Sequence, residues 1–238
     1  KKDNQNLFFA FNIIKYNMKN KNFNWNDFEK AVSFLKTEVS ELKWRDVIKA
    51  STGKEVLKFN PETHNAINIL DQWISENFKL LQEIGETYSG RVNEFGNFLE
   101  QKVEENFRHS ELTFKPTKNV LGRVQSVGYP DYNLTYKRNT IYGDCKVVST
   151  DTINSSQRSF YYQPTKTGKI LKDAPHFLLV FIREQKKGDR NKNDNSPPFK
   201  IIDYKIVDLY DFTIEFKAEF QANNIETFNL KELSKKTR

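Results

Sequence analysis

The sequence has few of the residues that build covalent or fibrous scaffolds. Cys145 is its only cysteine, which excludes an intrachain disulfide and a cysteine-only zinc site. Nine glycines and seven prolines in 238 residues are too few for a fibrous or disordered chain. No apolar stretch approaches the roughly 20 residues that span a bilayer, since the run at 177–182 is far too short. We therefore expect a globular protein with no membrane partner.

The N-terminal residues are polar, and the apolar segment at 7–14 is interrupted by Asn12, so we expect no signal peptide. The lack of disulfides suits a reducing compartment. Lys, Asn, Ile, Phe and Tyr are abundant, which is typical of proteins from AT-rich microbial genomes. Together these features predict a cytoplasmic, bacterial protein.

The net charge of +7 and the isoelectric point of about 9.2 favour an anionic partner, most simply nucleic acid. An ordinary protein with excess lysine is the alternative. The length of 238 residues allows one sizeable domain, or a core with an added helical part.

The apolar pattern changes along the chain from a helical period to a strand period. Residues 1–85 are predicted to form an N-terminal helical region, in which Asn60-Pro61 starts a helix that Gly85 ends. Another helix is predicted over 90–107. Strands are predicted at 112–114, 132–136, 141–148, 176–183 and 199–207. This order predicts an α/β (α+β) fold, with a central mixed sheet in a core at 86–238.

Two short segments carry the clearest chemical signal, namely Pro130-Asp131 and Asp144-Cys145-Lys146. Alternation along a strand places Asp144 and Lys146 on one face and Cys145 on the other. If the two strands pair, Asp131 approaches Asp144, and two hard oxygen ligands then meet one ammonium. An acid two residues before a lysine also occurs at 41/43, 100/102, 184/186, 203/205 and 215/217, so only the combination with Pro-Asp is distinctive.

Other segments supply candidates around this pair. Glu100 lies near the apolar stripe of the helix predicted at 90–107 and can point into a site beside the sheet. Hydroxyl, amide and guanidinium groups suit contacts with DNA. The candidates of this kind are Ser156, Gln157, Arg158, Gln221, Asn223 and Asn224.

On these residues the chain resembles type II restriction endonucleases of the PD-(D/E)XK nuclease superfamily, over about residues 90–183. The resemblance implies a restriction-endonuclease-like core that cleaves double-stranded DNA with Mg²⁺. It implies that Asp131 and Asp144 bind the ion, with the backbone carbonyl of Cys145. It further implies that Lys146 orients the attacking water and that Glu100 supports the site. The chain departs from the commoner pattern in having Asp144 where many members have Glu.

The expected function is sequence-specific DNA cleavage, and a homodimer would match a palindromic site. Two alternatives remain open at this point. One is a structure-specific repair or recombination nuclease with the same core. The other is a nucleic-acid-binding protein without catalysis, in which the acidic residues lie on the surface.

Overall fold

A computed structural model describes most of the chain between residues 39 and 216. The described residues are 26, 29, 33, 39–91, 94–125, 128–154, 160–184 and 199–216. The chain divides into two compact units, one made of residues 1–42 and 213–238 and the other of residues 43–212. In the first unit, strand β1 (Val39–Lys43) pairs with strand β8 (Thr213–Phe216). Within the described ranges, no helix is both long and apolar enough to cross a membrane.

The second unit combines helices with a mixed sheet. Its helices are α1 (Trp44–Thr52), α2 (Pro61–Glu76), α3 (Phe78–Glu86) and α4 (Phe95–Asn106). Its strands are β2 (Val56–Leu57), β3 (Leu112–Pro116), β4 (Tyr132–Tyr136), β5 (Asn139–Ser149), β6 (Ala174–Glu184) and β7 (Lys200–Asp208). This architecture confirms the predicted α+β fold with a central mixed sheet flanked by helices.

The sheet is built around the long strands β5 and β6. They run parallel, whereas β3, β4 and β5 form an antiparallel meander. Along one side of β6, β2 pairs in parallel with its first two residues and β7 pairs antiparallel with the rest. β6 is therefore an interior strand, as its apolar run predicts. A strand that is covered on both faces carries a continuous run of apolar residues and not an alternation of apolar and polar ones.

Helix α2 begins where the sequence predicts, because Asn60 caps it. The Asn60 side chain accepts a hydrogen bond from the Thr63 backbone amide at 2.9 Å, and the Thr63 hydroxyl accepts one from the Asn60 amide at 2.9 Å. Pro61 occupies the first helical turn. Ala66, Leu70 and Ile74 then recur every fourth residue and are fully buried.

The prediction of one helix from Asn60 to Gly85 is wrong, because the helix breaks at Asn77. The Asn77 side-chain amide donates to the Trp73 carbonyl at 2.8 Å, and the Asn77 backbone amide donates to the same carbonyl at 3.0 Å, so Asn77 caps the end of α2. Gly85 lies inside the next helix rather than after its end. A side chain at this position would have little room, because the Ile201 side chain and the Phe199 carbonyl lie 3.3 and 3.5 Å from where a Cβ would be.

Other boundaries also differ from the predictions. α4 starts at Phe95 rather than at Gly90, and residues 92 and 93 lie outside the described part. β1 and β2 are strands inside the region predicted to be helical. β2 has only two residues, too few to leave a periodic signal. The boundary predicted at residue 85 between an N-terminal region and a core stays a prediction, and residues 1–25 lie outside the described part.

Gly143 on β5 gives a test of how this sheet packs. Its cross-strand partner on β6 is Phe177, whose ring occupies the position that a side chain at 143 would need. We expect Gly143→Ala to lower the free energy of unfolding by about 1–3 kcal/mol, measured by denaturant titration. Gly96→Ala is the matched control. Its new methyl meets only a Val147 methyl at 3.9 Å, so it should be neutral or stabilise α4 by up to about 1 kcal/mol. Equal effects of the two substitutions would contradict this packing.

Candidate active site

The pairing of β4 with β5 brings the two halves of the predicted motif together. Tyr132 lies opposite Gly143, so the residues just outside this pair, Asp131 and Asp144, are neighbours across the ladder. The Asp131 carboxylate also accepts a hydrogen bond from the Cys145 backbone amide at 3.2 Å. Asp131 is therefore attached to β5 through its own side chain, although it lies before β4.

Alternation along β5 separates polar from apolar side chains as expected. Asp144 is 2% exposed and Lys146 is half-buried on the site face. Cys145 points into the apolar core with Tyr132, Leu134 and Leu179. Its thiol is thus turned away from the site, and only its backbone carbonyl is directed toward Lys146.

The ammonium of Lys146 contacts three oxygen atoms of the site. It forms an ion pair with Asp144 Oδ2 and lies 3.7 Å from Asp131 Oδ2. It also donates a hydrogen bond to the Cys145 carbonyl at 2.9 Å. Three oxygens, two of them from carboxylates, thus surround one cation. This is the donor set that hard divalent ions prefer.

The electrostatics of the pair reflect its burial. Burial raises the pKa of Asp144 well above its ordinary value, and the charge of Asp131 raises it further, although Lys146 opposes both effects. For Lys146, burial lowers the pKa, but Asp144 and Asp131 outweigh burial and leave the pKa raised. Lys146 therefore stays protonated. Its single positive charge compensates the two carboxylates beside it only in part.

Glu100 projects from α4 toward the same point. Its pKa is raised to about 7, first by burial and then by the negative charge of Asp131, while Lys146 lowers it. Glu100 therefore interacts electrostatically with the aspartates. Across the described ranges, however, no three His, Cys, Asp or Glu side chains are arranged as a ready metal site. Asp131, Asp144 and the Cys145 carbonyl form the compact oxygen set, which Glu100 does not join through a direct contact.

Comparisons with known proteins bear on this site. The family model described as the type II restriction enzyme MjaV family matches residues 37–231. A curated protein of Methanocaldococcus jannaschii, named type II restriction enzyme MjaV, is 27% identical over 222 residues. That alignment covers 86% of this chain and 92% of the relative.

The chain belongs to the type II restriction enzyme MjaV family. It is therefore a sequence-specific DNA endonuclease, and the resemblance to type II restriction endonucleases is confirmed. The alternative of a nucleic-acid-binding protein without catalysis is not supported.

A buried lysine, Lys169, lies beside the candidate site, and the sequence does not single it out. Lys169 is 5% exposed and donates to the carbonyls of Gly128 and Pro130 at 2.6 and 3.0 Å. Burial lowers the pKa of its ammonium, whereas the nearby Asp131 and Glu100 oppose that shift. In the sequence Lys169 sits between Lys166 and Lys172 in a polar segment and resembles an ordinary surface lysine. No local signal distinguishes it.

A buried hydrogen-bond network holds the other side of the segment that leads into Asp131. His176 Nδ1 accepts from the Tyr129 hydroxyl at 2.8 Å and from Trp44 Nε1 at 3.4 Å. Burial lowers the pKa of His176 to about 3, so the ring is neutral at neutral pH. Trp44 Nε1 can only donate, so Nδ1 is an acceptor, the Tyr129 hydroxyl donates to it, and the proton of the neutral ring lies on Nε2. Tyr129 and Lys169 together fix the backbone immediately before Asp131.

The predicted DNA-contacting residues lie outside the described part of the chain. These are Ser156, Gln157, Arg158, Gln221, Asn223 and Asn224. Their role stays a prediction.

The raised pKa of Glu100 predicts a pH dependence of stability. Between about pH 4.5 and pH 7 the folded, metal-free endonuclease keeps a proton on Glu100 that the unfolded chain has released. The contribution of Glu100 to the free energy of unfolding therefore falls as pH rises through this window. Glu100→Gln should gain stability relative to the wild type from pH 5 to pH 7.5, measured by thermal denaturation in EDTA.

Glu105 on the same helix is the matched control for this measurement. Hydrogen bonds from Lys102 and Gln101 lower its pKa, so Glu105→Gln should lose relative stability as pH rises through the acidic range. Parallel trends in the two variants would show that Glu100 does not titrate as described.

The contacts of Lys169 predict a second result. Lys169→Met removes the two hydrogen bonds from Lys169 to the carbonyls of Gly128 and Pro130, so cleavage of saturating DNA should slow by about 10- to 100-fold. The matched control is Lys166→Met, because Lys166 is an exposed lysine of the same segment. If Lys166 contacts a DNA phosphate, Lys166→Met should alter KM rather than kcat. Equal kcat values for Lys169→Met and the wild type would exclude this positioning role.

Proposed function

We propose that the endonuclease hydrolyses DNA phosphodiester bonds with Mg²⁺ at the site formed by Asp131, Asp144 and Lys146. One observation carries the proposal. The carboxylates of Asp131 and Asp144 and the carbonyl of Cys145 converge on one ammonium, where β4 begins beside the middle of β5. This convergence depends on residues 13 positions apart that meet only through strand pairing.

The oxygen set fits a hard divalent cation. Asp131 and Asp144 would hold the ion with the Cys145 carbonyl, and Glu100 would support it directly or through water. When bound, the ion would lower the pKa of the attacking water and neutralise charge on the phosphate. A family of type II restriction enzymes is consistent with such a requirement.

The protein side chains have distinct roles in the proposed reaction. The Lys146 side chain is 27% exposed, so its ammonium can reach a phosphate oxygen or the attacking water from the solvent side. There it would orient the water and stabilise negative charge that develops on the phosphate. Asp144, which is nearly inaccessible, would instead act as a fixed ligand.

Recognition of the DNA sequence is assigned to other residues. We propose that Ser156, Gln157 and Arg158 contact the DNA, together with Gln221, Asn223 and Asn224, since amides suit adenine and guanidinium suits guanine. A homodimer would place two copies of the site on a palindromic sequence. The relative from Methanocaldococcus jannaschii carries the name of a type II restriction enzyme, which supports cleavage at defined sequences.

Substitution of the site residues tests the proposed chemistry. Asp131→Asn, Asp144→Asn and Lys146→Ala should each reduce the rate of cleavage of phage DNA with Mg²⁺ by about 10²- to 10⁴-fold. Binding of duplex DNA in EDTA should persist in all three. It should strengthen in the two Asn variants, because each removes a negative charge near the phosphate. Discrete Mg²⁺-dependent fragments from the wild type would give the recognition site.

The chain supplies a matched control for the same motif. Asp203 and Lys205 have the same spacing on β7 but are both exposed. Asp203→Asn and Lys205→Ala should therefore leave cleavage within about threefold of the wild type, as expected for surface positions. Full activity of Asp131→Asn or Asp144→Asn would refute the assigned site. Wild-type cleavage that follows DNA structure rather than sequence would instead favour a repair nuclease.

A further inference from the structure

A short hairpin beside the site exposes an unusual set of apolar side chains. It spans residues 117–125, and its ends are joined by an antiparallel bridge between Lys118 and Val124. Val120, Leu121 and Val124 are 57, 62 and 59% exposed. Three large aliphatic residues within five positions form an apolar tip that folding leaves uncovered. Exposed apolar groups of this kind commonly mark an interaction site.

The hairpin is held in one conformation by its own hydrogen bonds. The buried Asn119 side chain accepts from the backbone amides of Leu121 and Arg123 at 3.0 and 3.1 Å. Its backbone amide donates to the Arg123 carbonyl at 2.9 Å, and Gly122 makes the turn with a φ of 74°. The exposed residues are therefore presented by a built turn, and their exposure does not result from a loose loop.

The hairpin is tied directly to the candidate active site. The Thr117 amide donates to the carbonyl of Asp131 at 2.8 Å. The Val120 amide donates to the carbonyl of Gly168, the residue before Lys169, at 3.1 Å. Any ligand whose reacting group lies at Asp131 would thus have a neighbouring part within reach of this hairpin.

The charge of the segment identifies the kind of ligand. Residues 112–130 contain Lys115, Lys118 and Arg123 and no acidic residue. All three cations are exposed. An apolar tip flanked by cations complements a DNA groove, whose floor offers base edges and whose walls are phosphates.

We propose that the 117–125 hairpin enters a groove of the DNA duplex beside the scissile phosphate. Val120 and Leu121 contact the base pairs, and Lys118 and Arg123 contact the flanking phosphates. The major groove is wide enough for a two-stranded ribbon and so for this narrower turn, and aliphatic wedges also enter the minor groove. This inference rests on the proposed function, because it takes the scissile phosphate to lie at Asp131 and Asp144.

Leu121→Ala and Arg123→Gln test the proposal on the full chain. Both residues are exposed, so both variants should keep the wild-type Tm. Leu121→Ala should lower kcat/KM on a duplex that carries the mapped site by about tenfold or more, at an unchanged dependence of binding on salt. Arg123→Gln should reduce the slope of log K against log salt by about 1. The matched control is Leu80→Ala, because Leu80 is an exposed leucine on α3, which packs against β7.

Three outcomes decide the proposal. Kinetics and salt dependence in both variants equal to those of Leu80→Ala would overturn it. A Leu121→Ala defect that disappears at high protein concentration, with a shift to monomer in sedimentation, would also overturn it and would identify the tip as a contact between copies of the chain. The expected losses at unchanged oligomeric state would support it. Failure of the proposed catalytic site is distinguished separately, since full activity of Asp144→Asn would show it whatever the hairpin variants do.

Discussion

The register between β4 and β5 is the constraint on which the site depends. Tyr132 must face Gly143 for Asp131 to lie beside Asp144. Because side chains alternate along a strand, a slip of one residue would send Asp144 into the apolar core and turn the Cys145 thiol toward solvent. The burial of Cys145 among core residues therefore enforces the position of the carboxylate beside it. Packing and chemistry are specified by the same alternation.

The burial of these carboxylates is unfavourable in free energy, and two lysines offset it to different extents. Lys146 pairs with both aspartates, and Lys169 adds a second positive charge nearby. The pKa of Glu100 is raised to about 7, so this side chain keeps its proton at pH values where an ordinary carboxyl group has lost it. Asp131, Asp144 and Glu100 thus form a cluster of acidic groups whose negative charge the lysines offset only in part, as the raised pKa values of Asp144 and Glu100 indicate. The proposed metal site would thus coincide with the point where the burial of negative charge is least favourable.

The proposed catalytic site and the proposed DNA-contacting hairpin lie on one stretch of chain. The segment that carries the exposed hairpin at 117–125 continues toward Tyr129 and Asp131. Both ends of this segment are fixed, one by the Thr117 bond to Asp131 and the other by Tyr129 with His176. Under both proposals, a displacement of the hairpin on a wrong sequence would be transmitted through the Thr117 bond to Asp131. Such coupling is a physical route from sequence reading to the rate of cleavage.

The sequence by itself determined what local periodicity and spacing can encode. The capped start of α2, the long strands and the shared face of Asp144 and Lys146 all follow from nearest neighbours along the chain. Tertiary structure decided which acid-and-lysine pair is buried beside a second aspartate, because Asp203 and Lys205 have the same spacing yet remain exposed. It also supplied Lys169 and His176, which reach the segment before Asp131 from 39 and 47 residues away. Burial and pKa depend on such distant neighbours, and no local pattern records them.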